Sequence, residues 1–170
     1  MLNYHYYSSK LANPPLLIVH GLFGSAKNWR AIGQRLADRF SVYIVDLRNH
    51  GDSPWFDTHS YTDMADDLAA FIQSKAPAMH VLGHSMGGKA AMMLGLTRPH
   101  LVDKLILADI APVSYQHDQL RFITALKRLD LASIQSRADA QAGLAAEIED
   151  PALCAFFLQS LDVVTRKWKL

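Results

Sequence analysis

Met79-His80-Val81-Leu82-Gly83-His84-Ser85-Met86-Gly87-Gly88-Lys89-Ala90-Ala91 is the stretch whose reading decides the fold. A short apolar run, readable as a buried strand, passes straight into Gly-His-Ser-Met-Gly and then into an apolar helical pattern. Three fixed positions of this kind arise by chance about 0.06 times in a chain this long, so the strand–turn–helix context is what gives the match its weight. Gly83 and Gly87 are needed because side chains at so tight a turn would collide with neighbouring backbone. Ser85 is then held in a strained conformation at the strand tip, above a helix N-terminus. That makes it a candidate nucleophile, with the Met86 N–H free to stabilise negative charge on a bound oxygen. The bland alternative is an ordinary glycine-rich turn.

Working outward, each flank repeats the same rhythm. Leu16-Leu17-Ile18-Val19, Val42-Tyr43-Ile44-Val45 and Leu105-Ile106-Leu107-Ala108 are solid apolar runs, as expected of parallel strands buried on both faces. Residues 2–8 alternate enough for an edge strand, stopped by Asn13-Pro14-Pro15. Between the runs lie helical patterns. Asn28 is a candidate cap for a helix burying Trp29, Ile32, Leu36 and Phe40. Ser60 or Thr62 opens a second helix, with Met64, Leu68, Phe71 and Ile72 inward. A third runs through Ala90, Met93, Leu94 and Leu96 to Arg98-Pro99. Strands alternating with helices predict a doubly wound, mostly parallel α/β sheet, whose ligands bind beyond the strand C-termini. His20, Asp46, Ser85 and Asp109 all fall at such ends. After Pro112 the pattern turns helical, over roughly 116–129, 137–148 and 151–161, with no strong strand signal. The expected division is therefore a core over 1–113 and a helical lid segment over 114–170.

Composition narrows the function classes. A length of 170 residues suits one core; half of the residues are hydrophobic and 19% are charged. A formal net charge of +1 without a basic run gives no support for nucleic-acid binding. No apolar stretch approaches the roughly 20 residues that span a bilayer, and the N-terminus lacks a signal-peptide pattern. The single cysteine, Cys154, excludes an internal disulfide and makes the cytoplasm the default location.

Four segments together resemble the α/β-hydrolase superfamily, and within it small bacterial esterases of the YbfF type. They are His20-Gly21-Leu22-Phe23-Gly24-Ser25, Asp46-Leu47-Arg48-Asn49-His50-Gly51-Asp52-Ser53-Pro54, the Gly83–Lys89 elbow and Asp109-Ile110-Ala111-Pro112-Val113. The resemblance implies Ser85 as nucleophile toward an ester or thioester carbonyl, through an acyl-enzyme and without metal or organic cofactor. It implies an oxyanion hole from the N–H groups of Leu22 and Met86. Asp109 maps onto the acid that orients a catalytic histidine. His20, Gly21, Gly83, His84 and Gly87 are supporting residues; Asp46 and Arg48 read as scaffold. Phe23, Trp55 and Phe56 are candidate pocket walls.

The superfamily pattern also carries a histidine on a loop after further strands, and it has no counterpart here. His20 and His50 sit at the right end of the sheet to approach Ser85; His5, His59, His80, His100 and His117 read as surface or turn residues. The expectation is thus an esterase or the N-terminal portion of one, C-terminally incomplete. Its sheet edge at 104–108 would be open to self-association or to a complementing C-terminal segment. A thioesterase or C–C hydrolase on the same scaffold, and a catalytically impaired binding module, remain open alternatives.

Overall fold

The computed structural model describes residues 1–115 and 119–169; His117 and the start of the expected 116–129 helix lie outside the described residues. The chain divides into two compact units, Met1–Pro112 and Val113–Leu170.

In the first unit, five strands follow the order β1-β3-β2-β4-β5. They are β1 (Tyr4–Tyr7), β2 (Leu16–Val19), β3 (Val42–Val45), β4 (Met79–His84) and β5 (Val102–Ala108). Only β1 is antiparallel to its neighbour, β3. The remaining pairs are parallel, with Ile18 opposite Ile44 on one side and opposite Leu82 on the other. Parallel pairing demands crossovers, which the helices α1 (Arg30–Leu36), α2 (Tyr61–Gln73) and α3 (Met86–Thr97) supply. The two-residue period of a strand then sorts side chains between the faces. Leu17, Val19, Met79 and Val81 pack with Met64, Leu68, Phe71, Ala90 and Leu94 from α2 and α3. Leu16, Ile18, Val42 and Ile44 pack with Trp29, Leu36 and Phe40 around α1.

Local chemistry sets the helix ends, with some departures from expectation. Ser60 caps α2, its Oγ accepting the Asp63 N–H at 3.1 Å while the Asp63 carboxylate accepts the Ser60 N–H at 3.0 Å. Asn28 does not open a helix. It sits inside the 3₁₀ turn Ala26–Trp29, where its Oδ1 accepts the N–H of Ser25, the actual cap, at 2.6 Å. Ile32 is 43% exposed, because the face of α1 toward the sheet is made by Gly33. A Cβ on Gly33 would lie 2.6 Å from Ile44 Cδ1, so a larger residue there would have to push the Ile44 side chain aside. Leu96, expected inward on α3, is 82% exposed.

β5 has the apolar run of a strand buried on both faces and the open edge expected at 104–108, and Leu105 is 39% and Ile106 47% exposed. The reason is topological: β5 ends the sheet and pairs only with β4, so its outer edge meets solvent. His80 departs from expectation. Read as a surface or turn residue, it is buried on β4 against the Phe40 ring, with Nδ1 2.8 Å from Asp103 Oδ2.

The second unit holds α4 (Leu120–Arg128), α5 (Arg137–Ala145) and α6 (Pro151–Leu158). Leu126, Ala140, Leu144, Cys154, Phe157 and Leu158 are among its buried residues. Helices α5 and α6 are capped by Ser136 and Asp150. The sequence pattern missed a small antiparallel hairpin of β6 (Leu161–Asp162) and β7 (Lys167–Trp168), too short to show a period.

Candidate active site

Ser85 stands where β4 turns into α3, at φ 50° and ψ −116°. A non-glycine residue at positive φ is strained, at a cost on the order of 1–3 kcal/mol. Neighbouring packing imposes that geometry. A Cβ on Gly83 would lie 2.5 Å from the Gly87 carbonyl oxygen, and one on Gly87 would lie 2.3 Å from that of His20. The Ser85 N–H donates to Ala108 O at 3.1 Å, and its carbonyl accepts the Lys89 N–H at 3.1 Å, starting α3. The side chain stays partly accessible. Replacing Ser85 by glycine, which has no Cβ penalty at this φ, is expected to stabilise the chain by about 1 kcal/mol in urea unfolding. Ser85→Ala keeps the strain and should leave stability near that of the unaltered chain.

The loop after β2 closes on this turn. Gly24 N–H donates to Gly21 O at 3.1 Å, and Phe23 takes φ 62° at the turn's third position. In such a turn the second residue's N–H points outward. The N–H groups of Leu22 and Met86 have no hydrogen-bond acceptor among the described residues. Gly21 brings this loop onto the elbow, since a Cβ there would lie 2.8 Å from His84 Nδ1 and 3.2 Å from Ser85 Cβ.

His20 is fully buried and does not turn toward Ser85. Its Nδ1–H donates to Gly21 O at 2.8 Å and its Nε2 accepts the Leu47 N–H at 3.0 Å, which fixes a neutral tautomer. Burial, with His50 beside it, pushes its pKa down to about 4, despite the opposing pull of the Gly21 carbonyl and Asp46. His50 is likewise buried, donating from Nδ1 to Arg48 O at 3.0 Å, and its ring lies between those of His20 and His59. Burial lowers its pKa too. The unfolded chain therefore binds protons that the folded chain refuses. Stability from these rings is complete above about pH 6.5 and falls as pH drops toward 4. Urea-unfolding free energies measured from pH 7.5 to 4.5 should decline across that window, and His20→Gln should start lower and decline less.

Asp46 and Arg48 form no pair with each other. The Asp46 carboxylate gathers the N–H groups of Ala26 and Asp52 and the Asn3 amide, at 2.7, 3.0 and 2.8 Å. Arg48 instead holds α2 through both oxygens of Asp67, at 2.6 and 3.0 Å, and lies over the Phe56 ring. Phe56 lines a crevice of about 250 Å³ with Met1, Leu2, Pro54 and Phe71, none of them elbow residues. Trp55 is 59% exposed and Phe23 is buried in its turn. Asp109 follows β5 at φ 55°, with Oδ2 3.7 Å from His84 Nε2. That proximity was not visible in the sequence, where His84 reads only as a supporting residue of the elbow.

A parallel sheet with crossing helices, a serine on a strained strand-to-helix turn and an adjoining glycine loop define a hydrolase-type α/β architecture. The chain belongs to the alpha/beta hydrolase fold family, whose model matches residues 14–166. It is 34% identical to Esterase YbfF of Escherichia coli, over 92% of this chain and 62% of that protein. It is also 34% identical to the sn-1-specific diacylglycerol lipase ABHD11 of Mus musculus, over 99% of this chain and 59% of that protein. A solved marine microorganism esterase superposes with a TM-score of 0.88 at 39% identity, covering 95% of this chain and 64% of that one. The chain thus spans about three-fifths of the length of the curated relatives it matches.

Proposed function

We propose that this chain carries the nucleophile, oxyanion hole and acid of a serine-dependent carboxylic ester hydrolase. The observation that carries the proposal is Ser85, strained at φ 50° with its own N–H tied to Ala108 O while the Met86 N–H beside it stays free. Ester-named relatives support an acyl substrate. In this reading Ser85 Oγ attacks the ester carbonyl, and the developing oxyanion accepts hydrogen bonds from Leu22 and Met86. The C–O bond then breaks, the alcohol leaves with a proton, and water cleaves the acyl-enzyme. Asp109 orients the histidine that moves those protons. Thioester or C–C cleavage uses the same parts, with the second unit setting the preference.

None of the described histidines hydrogen-bonds to Ser85, and His20 has both ring nitrogens engaged. This favours a base supplied from outside the described residues, by a further strand and loop paired on the open edge of β5. It also keeps alive a second reading, an impaired hydrolase fold retained as a binding module. Among the described residues no helix is long and apolar enough to cross a membrane. The buried, unpaired Cys154 suits the reducing cytoplasm.

A first-turnover assay with p-nitrophenyl acetate tests the proposal. One equivalent of p-nitrophenol released in a slow burst, at the rate that a strained serine and oxyanion hole allow without their base, with acetyl on Ser85 and neither in Ser85→Ala, is the expected result. Folded protein that releases no burst supports the binding-module reading instead.

A further inference from the structure

Asp109 is fixed by its backbone and left loose by its side chain. On one side Ala108 O holds the Ser85 N–H at 3.1 Å. On the other, Ile110 packs so tightly on Gly88 that a Cβ there would lie 2.4 Å from Ile110 Cγ2. The carboxylate itself is 86% exposed, and among the described residues its one ion-pair neighbour is His84, at 3.7 Å. A carboxylate free to sample rotamers orients a partner poorly, because ordering it costs entropy each time the site assembles.

His84, by contrast, is held from several directions. Its backbone pairs with Ala108 in the β4–β5 ladder. Its ring lies 5.7 Å from the Trp29 ring, tilted by 58°. The oxyanion loop comes up against Nδ1, with room only for glycine at Gly21. The edge left facing Asp109 is Nε2.

We infer that His84 is a positioning residue for Asp109. With its proton on Nε2 it draws Oδ2 toward β4, selecting one carboxylate rotamer and leaving Oδ1 to accept the Nδ1–H of the catalytic base. The Trp29 and Gly21 contacts fix the imidazole, and the imidazole fixes the acid. The role rests on the assignment of Asp109 as the acid of the proposed esterase.

The test is the side-chain rotamer of Asp109, read by NMR from its Hα–Hβ couplings in the 170-residue chain, in His84→Leu and in His84→Gln. One rotamer should dominate in the unaltered chain, average out in His84→Leu and return partway in His84→Gln, which keeps an N–H donor; equal couplings in all three chains would overturn the inference. The His84 ring tautomer, read from its ¹⁵N shifts, gives a second reading. The Nε2–H form should dominate in the unaltered chain and lose that bias in Asp109→Asn, a change that so exposed a position tolerates; the same tautomer mixture in both would contradict the role. Both readouts are independent of turnover. A selected rotamer without a p-nitrophenol burst sinks the esterase reading alone, and a burst without a selected rotamer sinks this inference alone.

Discussion

Gly87→Ala is expected to cost the first unit about 3–5 kcal/mol, enough to unfold much of the chain at 25 °C. The added Cβ would sit 2.3 Å from the His20 carbonyl oxygen and 2.6 Å from that of Val19. Both atoms are backbone at the end of β2, a central strand paired on both sides, so neither can swing aside as a side-chain tip would. Relief requires α3 to lift from the sheet, which uncovers Ala90, Ala91 and Leu94 and moves Ser85 off its turn. Gly95→Ala is the matched control in the same helix. Its nearest contact would be Leu105 Cδ2 at 3.8 Å, ordinary van der Waals distance. Alanine there should gain up to about 1 kcal/mol from helix propensity. Urea-unfolding midpoints of the two variants should move in opposite directions; similar midpoints would show that α3 is not seated on β2 as described.

The second large effect is Asp46→Ala, with an expected loss of about 3–5 kcal/mol. Asp46 is 3% exposed and its two carboxylate oxygens accept from Ala26, Asp52 and Asn3. Truncation leaves the buried Ala26 N–H without an acceptor and frees the partly buried Asp52 N–H and Asn3 amide from the loop they hold. The damage should also be directional. Ala26 follows the glycine loop after β2, Asn3 precedes β1, and Asp52 lies in the loop after β3, so one carboxylate ties three segments. Asp46→Asn keeps one acceptor oxygen and should recover roughly half the loss. Amide hydrogen exchange should show the segments 21–29 and 46–54 opening together in Asp46→Ala while α2 stays protected. Uniform loss of protection across the first unit would contradict that role.

Much of this architecture was legible because parallel strands advertise themselves. Leu16–Val19 and Val42–Val45 are apolar without interruption, and their burial on both faces follows from the helices that must cross between them. The elbow was legible for a different reason: a turn too tight for side chains leaves its glycines in the sequence. What hid from the sequence depends on what lies next to a residue in space. Leu105 and Ile106 have the composition of a central strand; their open edge followed from the resemblance to a longer fold and not from their own pattern. His80 looks polar, yet it is buried beside Phe40 and Asp103 because β4 is central. Ile32 looks like a core position but yields to Gly33, since backbone approach to Ile44 decides the face of α1. Asp46 and Arg48 suggest a pair, whereas each finds partners on other elements. The nearness of His84 to Asp109 arises from the β4–β5 register, which no local pattern encodes.

Reaction with a fluorophosphonate probe, followed by peptide mapping, tests the central claim most directly, because phosphonylation reads the activation of the nucleophile without needing deacylation. Ser85 alone should be modified in the folded chain, with labelling abolished in Ser85→Ala and in urea. Folded protein that stays unmodified, or that reacts equally at other serines, would show that the elbow holds no activated nucleophile in these 170 residues.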